Sequence, residues 1–179
     1  MIITISGFPG SGKTTVGKML AERLGYRFYS MGDLRGKMAM ERGLTIDELN
    51  RLGESEAWTD EDADEYQRKL GKREDDFVME GRLSFHFIPH SVKVFLAVDP
   101  GIGAERVFRN QRPDEERQES VEGVRKMLEE RTESDRKRYR KYYGIDCFDR
   151  KHYDIVVDTT RLTKEQVVEK ILSFIEKKV

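Results

Sequence analysis

A glycine-rich segment near the N-terminus has the residue types and the spacing that phosphate binding requires. It matches the pattern G-x-x-x-x-G-K-[ST] in full and, with the next threonine, comprises Gly7, Phe8, Pro9, Gly10, Ser11, Gly12, Lys13, Thr14 and Thr15. The glycines let the backbone wrap around a phosphate and direct N–H groups at its oxygens. Lys13 supplies a mobile positive charge, and the Thr14 hydroxyl is a ligand for Mg²⁺. The segment predicts a nucleoside triphosphate site, with ATP as phosphoryl donor and Mg²⁺ as cofactor.

Arginines are the second set of residues suited to phosphate, because a planar guanidinium contacts two phosphate oxygens at once. Transfer of a phosphoryl group to an anionic acceptor needs cations that face the triphosphate and offset charge in the transition state. The candidates are Arg35, Arg82, Arg106, Arg109, Arg112, Arg131, Arg136 and Arg138. These residues alone leave two classes open: a small-molecule kinase, or a regulatory or nucleic-acid-associated NTPase that hydrolyses ATP without an acceptor.

Strands and helices that alternate along the chain must position these groups. Short apolar, β-branched runs predict strands at 2–6, 26–29, 77–79, 92–98 and 155–157. Helical spacing and capping residues predict helices at 14–24, 103–109, 121–143 and from 163 onward, and a capping box at Thr45 lies in the polar, helical segment 33–73. The alternation predicts an α/β fold, a P-loop NTPase-type parallel sheet of about five strands with helices on both faces.

Length and composition narrow the classes further. The chain has 179 residues, which suits one compact domain, and its formal net charge is -1. This balance does not favour a basic nucleic-acid surface or a polybasic membrane anchor, although residues 136–143 interleave basic and aromatic side chains as single-strand binders do. No apolar run is long enough to span a bilayer, and the N-terminus lacks the charged region of a signal peptide. We expect a cytoplasmic monomer whose partners are small molecules, with neither nucleic acid nor membrane among them.

Several further motifs complete a recognisable pattern. They are Gly32-Asp33, Glu80-Gly81-Arg82 directly after the third strand, Glu130-Arg131, Ser134 to Tyr139, Tyr143 to Asp146, and Tyr153 to Val156. With the glycine-rich segment, they resemble the nucleoside monophosphate (NMP) kinases over nearly the whole chain, and most closely the archaeal-type cytidylate kinases. The resemblance implies an ATP-dependent kinase that phosphorylates CMP or dCMP. Another acceptor, such as AMP or UMP, stays open.

The resemblance also implies a division of the single domain 1–179. It implies a core at 1–32, 74–108 and 121–179, an NMP-binding insertion at about 33–73, and a short lid at about 109–120. It places Arg131 on the transferring phosphate, and Asp135 and Arg138 on the acceptor. Together with Lys13, Arg131 and Arg138 form the predicted catalytic set.

Position along the chain adds the remaining candidates. Arg82 follows a buried strand at the edge where α/β sheets bind ligands, which predicts contact with the acceptor phosphate. Glu80, just before it, is expected to orient Mg²⁺ through water beside Thr14, or else to pair with a basic neighbour. A lid that closes over the triphosphate needs cations that contact it and exclude water. Arg109 and Arg112 flank the loop at Pro113, which suggests this role for them. The complete predicted NMP-binding set is Asp33, Arg35, Asp64, Arg82, Asp135 and Arg138.

Three of these roles have a simpler alternative. Asp33 is either an acceptor ligand or the cap of the following helix. The related enzymes place the acceptor-phosphate arginine at the position that holds Gly36 here, one residue beyond Arg35. A shift of one residue rotates a helical side chain by about 100°, so Arg35 reaches the acceptor only if the local helix starts differently. Arg131, Asp135 and Arg138 are either site residues or ordinary ion pairs on a solvated, charged helix.

Overall fold

The sheet is the centre of the molecule. In this computed structural model, residues 1–111 and 117–178 are described. Five strands, all parallel, lie in the order β2-β3-β1-β4-β5. Their bounds are Ile2–Gly7 (β1), Arg27–Ser30 (β2), Phe77–Glu80 (β3), Val92–Ala97 (β4) and Ile155–Asp158 (β5). The predicted α/β fold with a five-stranded parallel sheet is therefore confirmed.

Eight α-helices and one short 3-10 turn surround the sheet in the described part of the chain. The helices are Lys13–Leu24 (α1), Met31–Glu41 (α2), Ile46–Gly53 (α3), Trp58–Arg73 (α4), Ser84–Phe87 (α5), Pro100–Arg109 (α6), Val121–Tyr143 (α7) and Lys164–Lys178 (α8). Three of them, α2, α3 and α4, lie consecutively between β2 and β3, in the segment predicted to be helical. None of the described helices is long and apolar enough to cross a membrane.

The two faces of the sheet are buried by different helices. On one face, Ile3 and Ile5 of β1 pack with Leu20 of α1 and Ile171 of α8. On the other face, one cluster joins Ile2 and neighbouring strand residues to α2 and α4, and a second joins Phe95 of β4 to α5 and α7. Burial of each such side chain contributes roughly 1.5–3 kcal/mol. The apolar, β-branched strands are therefore fixed from both sides, and their carboxyl ends form a rigid edge for the site.

Local hydrogen bonds define where the helices of the site begin. Thr45 and Glu48 form the predicted capping box, with Glu48 N donating to Thr45 Oγ1 at 3.2 Å and Thr45 N to Glu48 Oε2 at 2.7 Å. Asp33 is not the cap of α2. Ser30 is, because its Oγ accepts from Asp33 N at 3.1 Å, and the helix begins at Met31. The suggestion that Asp33 caps this helix was wrong because the chain turns helical directly from β2.

Candidate active site

The glycine-rich segment forms a turn between β1 and α1 that only glycine can build. Gly10 has φ 74°, and a Cβ there would overlap the carbonyl oxygen of Gly103 in α6. Gly12 has φ 86°, and a Cβ there would meet none of the described atoms within 4 Å. The first glycine therefore allows close packing against α6. The second faces open space at the start of α1, where an anion can approach the backbone.

The polar groups of this turn are arranged for an anion. Among the described residues, no side chain caps the N-terminus of α1 and its first turn contains no acidic residue, so the positive end of the helix dipole faces outward. Ser11 Oγ is buried without a hydrogen-bond partner in that part of the chain. Lys13 Nζ donates to Phe8 O at 2.9 Å. Burial, and then the charge of Arg82, lower the pKa of Lys13 to about 7. A bound phosphate would reverse that shift, so these residues fit a triphosphate.

A cavity of about 630 Å³ opens from this turn and extends between α2, α3, α4 and α7. Its polar and glycine lining includes Gly10, Gly12, Lys13, Thr14, Thr15, Gly32, Arg35, Asn50, Asp60, Asp64, Gln67, Glu80, Gly81, Arg82, Arg106, Asn110, Arg131, Asp135 and Arg138. Six of these side chains are basic and four are acidic, so the cavity has an excess of positive charge. That excess suits polyanionic ligands.

Arg82 connects the end of β3 with α7 and with the glycine-rich turn. Its Nε donates to Asp135 Oδ2 at 2.8 Å and its Nη1 to Gly7 O at 2.8 Å. Nη2 has no hydrogen-bond partner among the described residues, and the side chain as a whole is 17% exposed. Burial opposes ionisation of Asp135, but Arg82 and Arg138 outweigh it and hold the pKa of this carboxyl below its ordinary value. The arrangement fixes the guanidinium and leaves one amino group for a ligand.

Arg138 is at the centre of a buried network that joins four helices. Its side chain is 1% exposed, and it donates from Nη2 to Asp135 Oδ1 at 2.9 Å and from Nη1 to Asn50 Oδ1 at 3.0 Å. Its Nε lies 3.1 Å from Asp60 Oδ2. Arg35 of α2 pairs with the other oxygen of Asp60 and donates from Nη2 to Asn50 Oδ1 at 3.1 Å. Arg35 therefore lines the cavity, where its guanidinium is held by Asp60 and Asn50.

Arg131 lies on α7 two turns before Arg138 and makes a different connection. Its Nε and Nη2 donate to Asp47 Oδ1 at 3.0 and 2.8 Å. Both side chains are 13% exposed. Asp47 belongs to the first turn of α3, so this ion pair joins α3 to α7 beside the cavity, which Arg131 lines. Arg131, Asp135 and Arg138 are therefore not part of the solvated face of α7, which carries exposed pairs such as Arg125 with Glu129.

Glu80 and Thr14 supply oxygen atoms where a divalent cation would meet a triphosphate. Ser30 Oγ donates to Glu80 Oε1 at 3.2 Å. Oε2 is buried and has no partner in residues 1–111 and 117–178. No cluster of three or more His, Cys, Asp or Glu side chains among these residues could hold a metal ion. This donor set fits Mg²⁺, which keeps several waters and binds proteins through one or two side chains together with substrate phosphates.

Not every predicted residue lines the cavity. Asp33 is exposed on the first turn of α2, away from the lining. Arg109 is 75% exposed and lies 3.6 Å from Glu105 on its own helix. Arg112 and residues 113–116 lie outside the described residues. Of the predicted lid at 109–120, the structure describes 109–111 and 117–120. Gly7, Phe8 and Ser11 support the turn from behind, where Phe8 stacks on Phe148.

Other site residues were not in the predicted sets. Asn50 and Asp60 join the two buried arginines, and Tyr143 donates its hydroxyl to Asp64 Oδ2. Arg106, one turn before Arg109, donates from Nη2 to Thr159 O at 2.9 Å and lines the cavity. It was among the candidate arginines, but only the packing of α6 on the glycine-rich turn decides which arginine of that helix faces inward. Arg138 and Tyr139 are buried, so residues 136–143 do not form a continuous nucleic-acid surface.

Comparison with solved structures identifies the fold. An uncharacterised protein from Eubacterium ventriosum has a TM-score of 0.73 at 19% identity, with 98% of both chains covered. Shikimate kinase from Bacteroides thetaiotaomicron has a TM-score of 0.66 at 19% identity, also with 98% of both chains covered. At this identity the likeness shows the fold alone. The fold is that of small P-loop kinases.

Sequence comparison defines the family. Residues 2–161 match the model of the Cytidylate kinase-like family. The cytidylate kinase of Methanothermobacter thermautotrophicus is 39% identical over 165 residues, which cover 92% of this chain and 99% of that one. The cytidylate kinase of Archaeoglobus fulgidus is 35% identical over 179 residues, with 99% and 96% covered. The chain belongs to the cytidylate kinase-like family of NMP kinases and is a phosphotransferase.

Proposed function

We propose that the protein transfers the γ-phosphoryl group of ATP to CMP or dCMP. The observation that carries this proposal is the convergence of Arg35, Arg82, Arg131 and Arg138 on the same cavity as Lys13. These arginines come from α2, the end of β3 and α7, which are far apart in sequence. A hydrolase needs no second anion site, whereas a kinase for a monophosphate does. The choice of a cytidine nucleotide is supported by the names of the archaeal relatives.

In the proposed reaction, an oxygen of the acceptor phosphate attacks the γ-phosphorus in line with the leaving group. A P–O bond forms to the acceptor while the bond from the γ-phosphorus to the β,γ-bridging oxygen breaks, and ADP leaves with the electron pair. The acceptor phosphate is already anionic, so no side-chain nucleophile or strong base is required. Positioning and stabilisation of charge supply the rate enhancement.

Each part of the site has a role in this proposal. Residues 7–15 hold the triphosphate, with Lys13 on its terminal phosphates. Arg82 binds the acceptor phosphate, because its Nη2 remains available after the bonds to Asp135 and Gly7 are made. Arg131 exchanges Asp47 for the transferring phosphate. Arg35 and Arg138 use most of their N–H donors in bonds within the protein. They place positive charge beside the acceptor, and Asp60 and Asp135 connect them in one ion-pair network.

Magnesium would be held by the Thr14 hydroxyl and, through water, by Glu80. When bound, it supplies positive charge at the phosphates and aligns them. We also propose that α2, α3 and α4 form the NMP-binding insertion at 33–73, and that the lid spans 109–120 and carries Arg109 and Arg112 toward the triphosphate. For Asp33, which is exposed, we propose that closure of the insertion turns its carboxylate toward the acceptor.

Release of ADP, measured with a coupled assay over CMP, dCMP, UMP and AMP, tests the proposal. We expect fast, Mg²⁺-dependent release with CMP or dCMP. Arg82→Gln should lower kcat/KM at least about 100-fold, because a guanidinium that faces the developing charge is lost. Arg125→Gln is the matched control, since Arg125 is exposed on α7 and pairs with Glu129.

Two outcomes would contradict the assignment. Equal rates with all four monophosphates would remove the preference for cytidine nucleotides. Hydrolysis of ATP that RNA stimulates and monophosphates do not would support the regulatory or nucleic-acid-associated NTPase instead. Folding of each variant is checked by thermal unfolding, so that a lost activity is not a lost structure.

A further inference from the structure

The cavity ends in a polar face on α4 that phosphate chemistry does not use. Asp60, Ala63, Asp64 and Gln67 line the cavity at the spacing of one helix face. Asp60 pairs with the guanidinium groups of Arg35 and Arg138. Asp64 and Gln67 lie about 6 and 10 Å further along the helix axis. That separation places them beyond the cationic cluster, at the distance where the base of a bound mononucleotide would lie.

The hydrogen bonds within the protein determine what this face offers to a ligand. Tyr143 donates its hydroxyl to Asp64 Oδ2, which leaves Oδ1 without a partner among the described residues. Ser84 Oγ donates to Gln67 Oε1 at 2.7 Å. The carbonyl of Gln67 is thereby used, and its Nε2 remains a donor with no partner in the described part of the chain. The face therefore presents one acceptor, Asp64 Oδ1, and one donor group, Gln67 Nε2.

This acceptor and donor complement the edge of cytosine. Cytosine offers an amino donor at N4 and acceptors at N3 and O2, whereas uracil offers an acceptor at O4 and a donor at N3. We propose that Asp64 accepts a hydrogen bond from N4 of cytosine, that Gln67 donates to N3 or O2, and that protonation of Asp64 relaxes the selection against uracil. The inference rests on the proposed function, because it names how the acceptor site of that reaction recognises its base.

The ionisation state of Asp64 decides which base fits. An ionised carboxylate accepts from N4 of cytosine and repels O4 of uracil, whereas a protonated one can donate to O4. Burial raises the pKa of Asp64 to about 6, and the hydrogen bond from Tyr143 opposes that rise. Asp64 is therefore ionised at neutral pH and titrates within the range in which a kinase can be assayed.

Besides Tyr143, three charged groups act on this carboxyl from the elements around it. Asp60 raises its pKa, whereas Arg68 of α4 and Arg35 of α2 lower it. His86 of α5 packs against Tyr143 with ring centroids 5.9 Å apart, and burial lowers the pKa of its imidazole. His86 is the nearby group whose titration could be confused with that of Asp64, so the experiment must separate the two.

The test measures kcat/KM for CMP and for UMP with the full-length protein between pH 5.5 and 8 and uses their ratio. Both monophosphates titrate alike at phosphate, so the ratio isolates recognition of the base. For the wild type, we expect the ratio to fall as the pH is lowered through about 6. Asp64→Asn should lower the ratio about ten- to a hundred-fold at pH 8 and remove its pH dependence, because the amide cannot ionise.

Two further variants test whether Asp64 sets the pH at which selection against UMP is lost, a quantity that a purely structural role of Asp64 would not change. Tyr143→Phe removes the hydrogen bond that stabilises ionised Asp64, so the pH at which selection is lost should move upward. His86→Gln should leave that pH unchanged. Asp62→Asn is the matched control, since Asp62 is exposed on the same helix, and it should preserve both the ratio and its pH dependence.

The outcomes distinguish this inference from the proposed function. If no pyrimidine monophosphate accepts phosphate, the proposed function fails and the inference fails with it. If the wild type phosphorylates CMP but Asp64→Asn, folded by thermal unfolding, keeps the same ratio of CMP to UMP, the inference alone is wrong. A pH dependence that persists in Asp64→Asn and disappears in His86→Gln would likewise overturn it.

Discussion

The donor and acceptor sides of the cavity are built in different ways. The donor side, where the phosphoryl donor is proposed to bind, is the continuous segment 7–15. Its anion site is formed mainly by backbone N–H groups, by glycines with positive φ angles and by the N-terminus of α1. The acceptor side takes its side chains from α2, α3, α4, α7 and the end of β3. Its guanidinium groups pair with carboxylates within the protein. The first is therefore specified locally, and the second depends on the whole fold.

The difference shows what each side requires for stability. A glycine-rich turn leaves its N–H groups to solvent at little cost in the absence of ligand. Buried guanidinium groups do not have that freedom, because an unpaired buried charge is strongly destabilising. The acceptor side must therefore carry its own counter-ions, and a bound phosphate has to compete with Asp47, Asp60 and Asp135 for its donors.

The largest effect on stability should come from breaking the buried network at Asp60. Asp60→Ala leaves Arg35 without its carboxylate and Arg138 with only Asp135, so we expect a loss of about 3–5 kcal/mol in the free energy of unfolding. Urea unfolding measures it, with Asp62→Ala on the exposed side of α4 as control. If Asp60→Ala unfolds no more easily than this control, the network contributes no stability and the contrast between the two sides disappears.

Nucleotide binding on the donor side should change the protonation of Lys13. The pKa of Lys13 is about 7, below its ordinary value because of burial and the charge of Arg82, so the side chain is mostly neutral at pH 8. A bound anion raises that pKa, and binding of ADP at pH 8 should then take up close to one proton. Calorimetry in two buffers of different ionisation enthalpy measures the uptake. Zero uptake at pH 8 would mean that Lys13 is already charged before ADP binds.

A smaller effect should follow from the capping box of α3. Thr45→Ala removes the oxygen that accepts from Glu48 N, which costs about 1 kcal/mol of stability. Because α3 carries Asn50 and Asp47, we expect KM for the acceptor to rise while KM for ATP stays unchanged. Thr163→Ala removes the equivalent bond at α8, far from the cavity, and should cost similar stability without a change in either KM. Equal changes in both KM values for Thr45→Ala would argue against separate sides.

The sequence predicts the locally specified donor side better than the acceptor side, which depends on the whole fold. The place of the glycine-rich turn, between β1 and α1, is predicted correctly because its signal lies in neighbouring residues. That residues 7–15 bind ATP stays a prediction. The bounds of α7 and the five strands are also predicted closely, since apolar periodicity and caps are local signals. The cap of α2 was missed because Ser30 ends a strand and begins a helix at once, and nothing in the polar residues nearby distinguishes it from Asp33.

Long-range pairing is what the sequence does not reveal. Arg138 and Asn50 are 88 residues apart, and their contact exists only because α3 packs on α7. Asp60 is one of several acidic residues in the first half of α4, and its special position between two arginines follows from the rotation of that helix. The choice between Arg106 and Arg109 has the same origin, because the side of α6 that faces inward is set by packing on Gly10.

That packing has a consequence for attempts to strengthen the protein. Gly103 lies inside α6, where alanine would favour the helix by about 1 kcal/mol. A methyl group there would approach the carbonyl oxygen of Pro9 to 3.0 Å, and that carbonyl belongs to the turn that receives the nucleotide. Selection for heat resistance at this position would therefore enrich variants with a more stable α6 and a displaced glycine-rich turn. A single methyl group would then raise thermal stability and lower the turnover rate.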